Sequence, residues 1–362
     1  MQYWKTLLWV LCPLSLAAQD HTDSMTREKV YAITFQKGAV FIHKSVVAGA
    51  GTARPETIGL EYATQRLDYN SYSICKTYLR TGFSLAFTDF HSPVVGKSLI
   101  GSFFIEPVYR IGNRFQFQFR CESGISYFTS PYNVVSNKSN QSYSTHLNTY
   151  LHIGAGAGIR LSRHFTTTVN GNIHHISNAD FKQPNSGLNW LMFSGSLLYY
   201  PYSNHLPKYK NPPAQRIHSK PTADVGFMVT PGQGYHHLWL TKRNYMLGLF
   251  GQVSMTVSKI NALTGGAEMT YDRYRDDSIA PRNNSRPALK AGLNLGNEFL
   301  LGKVIVSQQL GIYISRHPAF YSTLYHRWGI RYQLGPHWFA GVCMKVHKEV
   351  ADLIDLRLQY RF

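Results

Sequence analysis

Along most of this chain, apolar residues fall on every second position. Phe115, Phe117, Phe119 and Cys121 alternate with Gln116, Gln118, Arg120 and Glu122. Leu289, Ala291, Leu293 and Leu295 stand opposite Lys290, Gly292, Asn294 and Gly296. Leu324, Trp328, Ile330, Tyr332 and Leu334 face away from Arg327, Gly329, Arg331 and Gln333, as Trp338, Ala340, Val342, Met344 and Val346 do from Gly341, Lys345 and His347. Successive side chains of a strand point to opposite faces, so each run makes a strand with one greasy and one polar or small face. Runs of about ten residues in this pattern fit a barrel with lipid outside and a polar lumen. The last strand carries Leu356, Leu358, Tyr360 and Phe362 on one face. It ends on the aromatic residue and in this resembles the closing strand of an outer-membrane barrel. A secreted sandwich would alternate too, but its polar faces would hold fewer glycines. Gly154, Gly156 and Gly158 share one parity and predict a crowded interior or a tightly curved wall.

The N-terminus reads as a signal peptide over 1–18. Lys5 precedes an apolar run from Leu7 to Leu16, and Ala17 and Ala18 offer small residues for cleavage. The run is too short to span a bilayer. Of the cysteines after it, Cys75, Cys121 and Cys343, at most one pair could form. That is no disulfide framework, and plain burial is expected. The formal net charge is +18. A secreted chain rarely meets nucleic acid, so the polyanion expected here is a membrane surface such as phosphorylated lipid A.

Tight turns are expected at Gly112-Asn113, Ser162-Arg163, Leu301-Gly302 and Gly335-Pro336, and long polar loops at 130–146, 179–187 and 274–286. Short periplasmic turns and long outer loops are the barrel pattern. The segment from Pro201 to Pro221, with Pro207, Pro212 and Pro213, interrupts it as a long inner loop or a domain boundary. The fold class expected is an all-β, antiparallel transmembrane outer-membrane β-barrel of about 14 strands, range 12 to 16, over residues 19–362. The motif-bearing part would be 30–200, with additional strands over 221–362. The alternative is an eight-stranded barrel ending near Tyr200, followed by a second β unit.

Within the stretch Asn172-Ile173-His174-His175-Ile176-Ser177-Asn178, His175 and Ser177 share parity with Phe165, Val169 and Ile173. An imidazole and a hydroxyl at i and i+2 project side by side, as a serine nucleophile and its base require. On the greasy face of a strand they would meet a lipid. After the loop, Asn189 shares a parity with Leu191, Phe193, Leu197 and Tyr199, so it can lie beside His175 across the hairpin. Its amide oxygen can orient the imidazole but lacks the full charge that the acid of a Ser-His-Asp triad supplies. His174, of opposite parity, is expected in the lumen in a structural role. Glu106 and Asp89 are expected there too, paired with Arg or Lys. Adjacent His236 and His237 would point to opposite faces, so no metal site is read from them.

His175-Ile176-Ser177-Asn178-Ala179, with Pro184-Asn185 and Gly187, resembles the signature of the lipid A 3-O-deacylases, the PagL-type outer-membrane hydrolases. The length and the Pro184-Asn185-Ser186-Gly187-Leu188-Asn189 variant resemble the longer acyloxyacyl hydrolases. The resemblance implies Ser177 as nucleophile, His175 as general base, Asn185 in the oxyanion region and Asn178 close by in an ordering role. The family's third triad member, a glutamate, falls on Asn189, and Asp180 stands where the family usually has glycine. Asp180 could supply a carboxylate in its place.

The function expected is an outer-membrane esterase cutting a fatty acyl ester of lipid A, needing no cofactor and no metal. Its partners would be lipopolysaccharide, the outer membrane and the barrel-assembly machinery, with no nucleic acid. The alternative is a non-catalytic barrel, for transport or scaffolding, with a remnant site. A secreted soluble sandwich binding glycans is a third reading.

Overall fold

A computed structural model describes residues 26–42, 45–178, 182–210, 220–230, 246–272, 288–315, 323–347 and 350–362. The expected signal peptide over 1–18, Asp180, His236, His237 and the expected loop 274–286 lie outside the described residues. The first eight strands are β1 (Arg27–Phe41), β2 (Glu56–Arg66), β3 (Tyr78–Asp89), β4 (Lys97–Ile111), β5 (Phe115–Phe128), β6 (Leu147–Arg160), β7 (Phe165–Ser177) and β8 (Leu188–Tyr199). A short helix, α1 (Tyr69–Cys75), joins β2 to β3. The next eight are β9 (Thr222–Thr230), β10 (Met246–Ser258), β11 (Asn261–Asp272), β12 (Ala288–Leu301), β13 (Val304–Tyr313), β14 (Leu324–Gln333), β15 (Trp338–His347) and β16 (Val350–Arg361).

The sixteen strands among the described residues fall within the expected range, but they close as two barrels and not as one. β8 returns to β1, pairing Tyr199 with Tyr31 through Asn189 with Phe41. β16 returns to β9, pairing Leu356 with Val229 through Arg361 with Asp224. The first barrel therefore ends at Tyr199, as the alternative reading has it, and the additional strands form a second eight-stranded barrel.

The reason β8 gains no ninth partner lies in the segment after it. Glu28 accepts from the Tyr202 N–H at 2.8 Å, and Asn204 Nδ2 donates to the carbonyls of Ser162 at 2.8 Å and Phe165 at 3.0 Å. The Tyr78 hydroxyl donates to Pro207 O, and the Tyr209 hydroxyl to Leu67 O at 2.6 Å. Tyr209 also packs on Tyr69 and Tyr72 with ring centroids 5.4 and 5.3 Å apart. Pro207 has no N–H to extend a ladder. Residues 200–210 are thus fastened across the short-turn end of the first barrel.

The parity expectations hold along the walls. Phe115 and Phe119 are exposed while Gln116 and Gln118 are buried, and Trp328 and Ile330 are exposed while Arg327 and Arg331 are buried. Gly156 shows the crowding inside: a Cβ there would lie 2.1 Å from Asn170 Oδ1 and from Val169 O.

Two single-residue expectations change. Cys121 is a free thiol exposed on the outer wall, because it shares the parity of the exposed Phe115 and Phe119, whereas Cys343 is free and buried. Asp89 is not in the lumen. It follows the inward Thr88 at the loop end of β3 and pairs across the ladder with Lys97 at 2.9 Å. Glu106 is inside as expected, paired with Arg80 and with Arg120.

Candidate active site

β7 and β8 form a hairpin whose register sets His175 opposite Asn189. On its other side, β7 sets His175 opposite Leu151 and Ser177 opposite Thr149 of β6. In β7 the odd positions Val169, Ile173, His175 and Ser177 reach the outer surface, and the even positions Asn172, His174 and Ile176 are buried. In β8, Asn189, Leu191 and Phe193 face out while Leu188, Trp190 and Met192 face in. His175, Ser177 and Asn189 are therefore on one outer wall, each half-buried, beside the exposed Leu151, Ile173 and Leu191.

The inward neighbours hold that wall in place. His174 stacks between His152 and Trp190, with centroids 4.4 and 5.1 Å away, and its Nδ1 meets the Tyr150 hydroxyl at 2.7 Å. Ile176, Leu188 and Trp190 belong to an apolar cluster with Phe90, Phe128 and Tyr143 that fills the loop end of the lumen. His174 is structural, as its parity indicates. Because inward and outward residues alternate, fixing residues 174, 176, 188 and 190 fixes the outward direction of those between them.

His175 Nδ1 and Asn189 Oδ1 are 2.6 Å apart. An amide oxygen only accepts, so with this amide orientation Nδ1 carries the proton and Nε2 keeps its lone pair, the tautomer a general base needs. Asn185 Nδ2 donates to Ser177 Oγ at 3.2 Å. Asn185 in turn is aimed by the Asn178 N–H, which donates to Asn185 Oδ1 at 3.1 Å. That contact identifies which end of the amide is oxygen and turns the NH₂ group toward the serine. The Asn178 side chain is buried and donates to Lys182 O at 2.7 Å and Ser144 Oγ at 3.2 Å.

The five residues singled out in the sequence fall into two hydrogen-bonded sets, His175 with Asn189 and Ser177 with Asn185 and Asn178. Three supports were not foreseen. Thr149 Oγ1 donates to Ser177 O at 2.7 Å, Ser144 Oγ donates to Lys182 O at 2.6 Å, and the Gly187 N–H donates to Ser142 O at 2.8 Å. The polar loop 129–146 has no periodicity that would have placed Ser142 or Ser144 beside residues 178–187. Gly187 was visible within the motif, and its reason is now physical. Its φ is +75°, and a Cβ there would stand 2.9 Å from His175 Cε1. Among the described residues no group of His, Cys, Asp and Glu could hold a metal ion.

Comparison with known proteins places this geometry. Residues 59–197 match the family model described as lipid A 3-O-deacylase (PagL), and residues 223–362 match the one described as acyloxyacyl hydrolase, C-terminal domain. No curated protein matches the chain. Among solved structures, the outer-membrane enzyme PagL is 17% identical, with 46% of this chain and 97% of that one covered and a TM-score of 0.35. The translocator domain of the autotransporter NalP from Neisseria meningitidis is 10% identical over 94% of this chain and 90% of its own, with a TM-score of 0.22. Omp33 of Acinetobacter baumannii is 8% identical over 92% and 99%, with a TM-score of 0.20. The two family matches fall one on each barrel, on either side of residues 198–222, and together span most of the chain. The chain belongs to the PagL-type lipid A 3-O-deacylase family, in the longer form that carries the acyloxyacyl hydrolase C-terminal domain.

Proposed function

We propose that the protein is an outer-membrane esterase that removes a fatty acyl chain from lipid A at the outer wall of its first barrel. The observation that carries this reading is the polar group at the top of that wall, where Asn189 Oδ1 meets His175 Nδ1 at 2.6 Å and Asn185 Nδ2 meets Ser177 Oγ at 3.2 Å. Polar groups half-exposed among Leu151, Ile173 and Leu191 would be unfavourable in lipid unless they serve the lipid.

In this mechanism Ser177 Oγ attacks the ester carbonyl carbon while His175 Nε2 takes its proton. The carbonyl oxygen becomes an oxyanion, to which Asn185 Nδ2 offers a hydrogen. Collapse breaks the bond to the sugar oxygen, which takes the proton from His175 and leaves as the alcohol. Water, deprotonated by His175, then cleaves the acyl-serine and releases the fatty acid. Asn189 keeps the imidazole in its orientation and tautomer throughout. No step calls for a metal or an organic cofactor.

Mass spectrometry of lipid A from producing cells tests the reading. Wild type should remove one acyl chain, and Ser177→Ala should lose that activity by about 10⁴-fold or more. Deacylation that survives in Ser177→Ala overturns the assignment.

The second reading, a non-catalytic barrel, draws on one departure: Asn189 stands where the resemblance to the family implies a glutamate. A serine-directed phosphonate separates the two, because it labels Ser177 only if the hydroxyl is activated.

A further inference from the structure

Above the wall that bears Ser177, the loop 129–146 is tied to the loop 90–96. Asn137 Nδ2 donates to the carbonyls of Val94 and Ser130, both at 3.0 Å. Asn140 Nδ2 donates to Ser130 O at 2.7 Å, and the Tyr143 hydroxyl donates to Val95 O at 2.7 Å. Burial raises the Tyr143 phenol well above its ordinary pKa, so it stays a donor. Loop 129–146, with Pro93 and Lys182, encloses a cleft of about 670 Å³.

The lining has a definite chemistry. Hydroxyls come from Ser130, Tyr132, Ser136 and Thr145, and cationic or ionisable nitrogen from Lys182 and His146. None of the lining residues is acidic. Hydroxyl and amide walls suit the hydroxyls of a sugar, and Lys182 suits an anion on it. The volume is that of an ordinary small-molecule site.

The cleft is joined to the reactive serine by a short chain of contacts. Ser144 lines it and bonds to both Lys182 O and the Asn178 side chain. The Asn178 N–H aims Asn185, and Asn185 reaches Ser177. β7 ends at Ser177, so an amphiphile with its ester at that serine and its tails along the wall carries its headgroup at the loops.

We propose that the cleft that loop 129–146 encloses with Pro93 and Lys182 is a binding subsite for a phosphorylated sugar headgroup, that of the lipid whose ester Ser177 attacks. The assignment rests on the esterase reading for the identity of the lipid, but its test does not need turnover. Lys182 makes the contact with the phosphate, and the hydroxyl wall receives the sugar.

Isothermal titration of the full chain in detergent micelles uses three ligands without an ester: a phosphorylated glucosamine disaccharide, the same disaccharide without phosphate, and inorganic phosphate. The phosphorylated disaccharide should bind, and each of the other two at least tenfold more weakly. Lys182→Glu should weaken binding at least tenfold, and Ser136→Trp, which fills the cleft, should abolish it. Heat-dependent gel mobility checks that both variants are folded. Absence of binding to the native chain overturns the subsite, even where Ser177-dependent deacylation is intact. So does unchanged binding in both folded variants. Inorganic phosphate binding as tightly as the disaccharide removes the sugar from the assignment. Headgroup binding without any deacylation leaves the subsite standing and defeats the esterase reading instead.

Discussion

The two barrels have the same number of strands and differently filled interiors. In the first, the loop end of the lumen is packed with Phe90, Phe128, Tyr143, Ile176, Leu188 and Trp190. Its ions are gathered deeper, where Arg120 meets Glu61 at 2.7 Å, Glu106 at 3.1 Å and Glu122 at 3.3 Å. In the second, the buried apolar cluster is only Met228, Met246 and Phe250 among the described residues. Arg327 there meets Glu268 at 2.6 Å and Asp355 at 2.7 Å, Lys345 meets Glu268 at 3.0 Å, and Arg331 meets Glu298 at 2.9 Å. A ring of ion pairs closes a lumen. An interlocked aromatic plug does more, because close packing permits each side chain few positions. His175, Ser177 and Asn189, the proposed catalytic residues, lie on the barrel with the plug, in the two strands that the plug backs.

The largest expected effects contrast the two interiors directly. Trp190→Ala should destabilise the first barrel by about 3–5 kcal/mol, the range for emptying a large buried aromatic site. It should also lower deacylation in the molecules that remain folded, since Trp190 adjoins Asn189 in β8 and stacks on His174, the neighbour of His175. Arg327→Ala takes a buried guanidinium from Glu268 and Asp355, which keep Lys345 and Arg357, and should destabilise the second barrel by less than the roughly 3–5 kcal/mol that an unpaired buried charge costs. Deacylation per folded molecule should be unchanged by it. Urea unfolding in micelles with a parallel lipid A assay reads both. Equal loss of turnover in the two variants would mean that the plug has no special hold on the site.

A smaller effect is expected where the first barrel meets its loops. Asn185→Ala removes the amide that the Asn178 N–H aims at Ser177 Oγ. Loss of one oxyanion donor lowers kcat by about 10²–10³-fold, and KM should change little. Single-turnover rates with purified lipid A check this. A fall confined to KM would make Asn185 a ground-state contact and not an oxyanion donor.

How much of this was legible in the chain follows from how far apart the interacting residues are. Strand faces obey a period of two and can be read from a short window, as for Phe115 to Glu122 or for His175 and Ser177. The approach of Asn189 to His175 was legible too, because one hairpin joins them. Barrel closure was not, since short turns and long loops alternate alike in one barrel of sixteen strands and in two of eight. Only the pairings of β1 with β8 and β9 with β16 decide it, and they join distant segments. The Pro201 to Pro221 break was the one local sign. Asp89 was misplaced by a single residue of parity, and the role of Ser144 had no local sign at all.

The smallest effect tests how the wall of the first barrel works with an amide where its family has a carboxylate. Asn189→Asp keeps the side-chain length and the oxygen that lies 2.6 Å from His175 Nδ1, so it adds charge with little change of shape. A carboxylate stabilises the imidazolium that forms when Ser177 gives up its proton, and kcat should rise by about tenfold. The same charge favours protonated His175 in the resting enzyme. The base form then prevails only at higher pH, so the acid limb of the pH–rate profile should move upward. A faster enzyme with that limb shifted supports a mechanism in which His175 is the base and Asn189 its orienting partner. An aspartate variant with unchanged rate and unchanged profile would mean that the 2.6 Å contact does not reach the reacting proton.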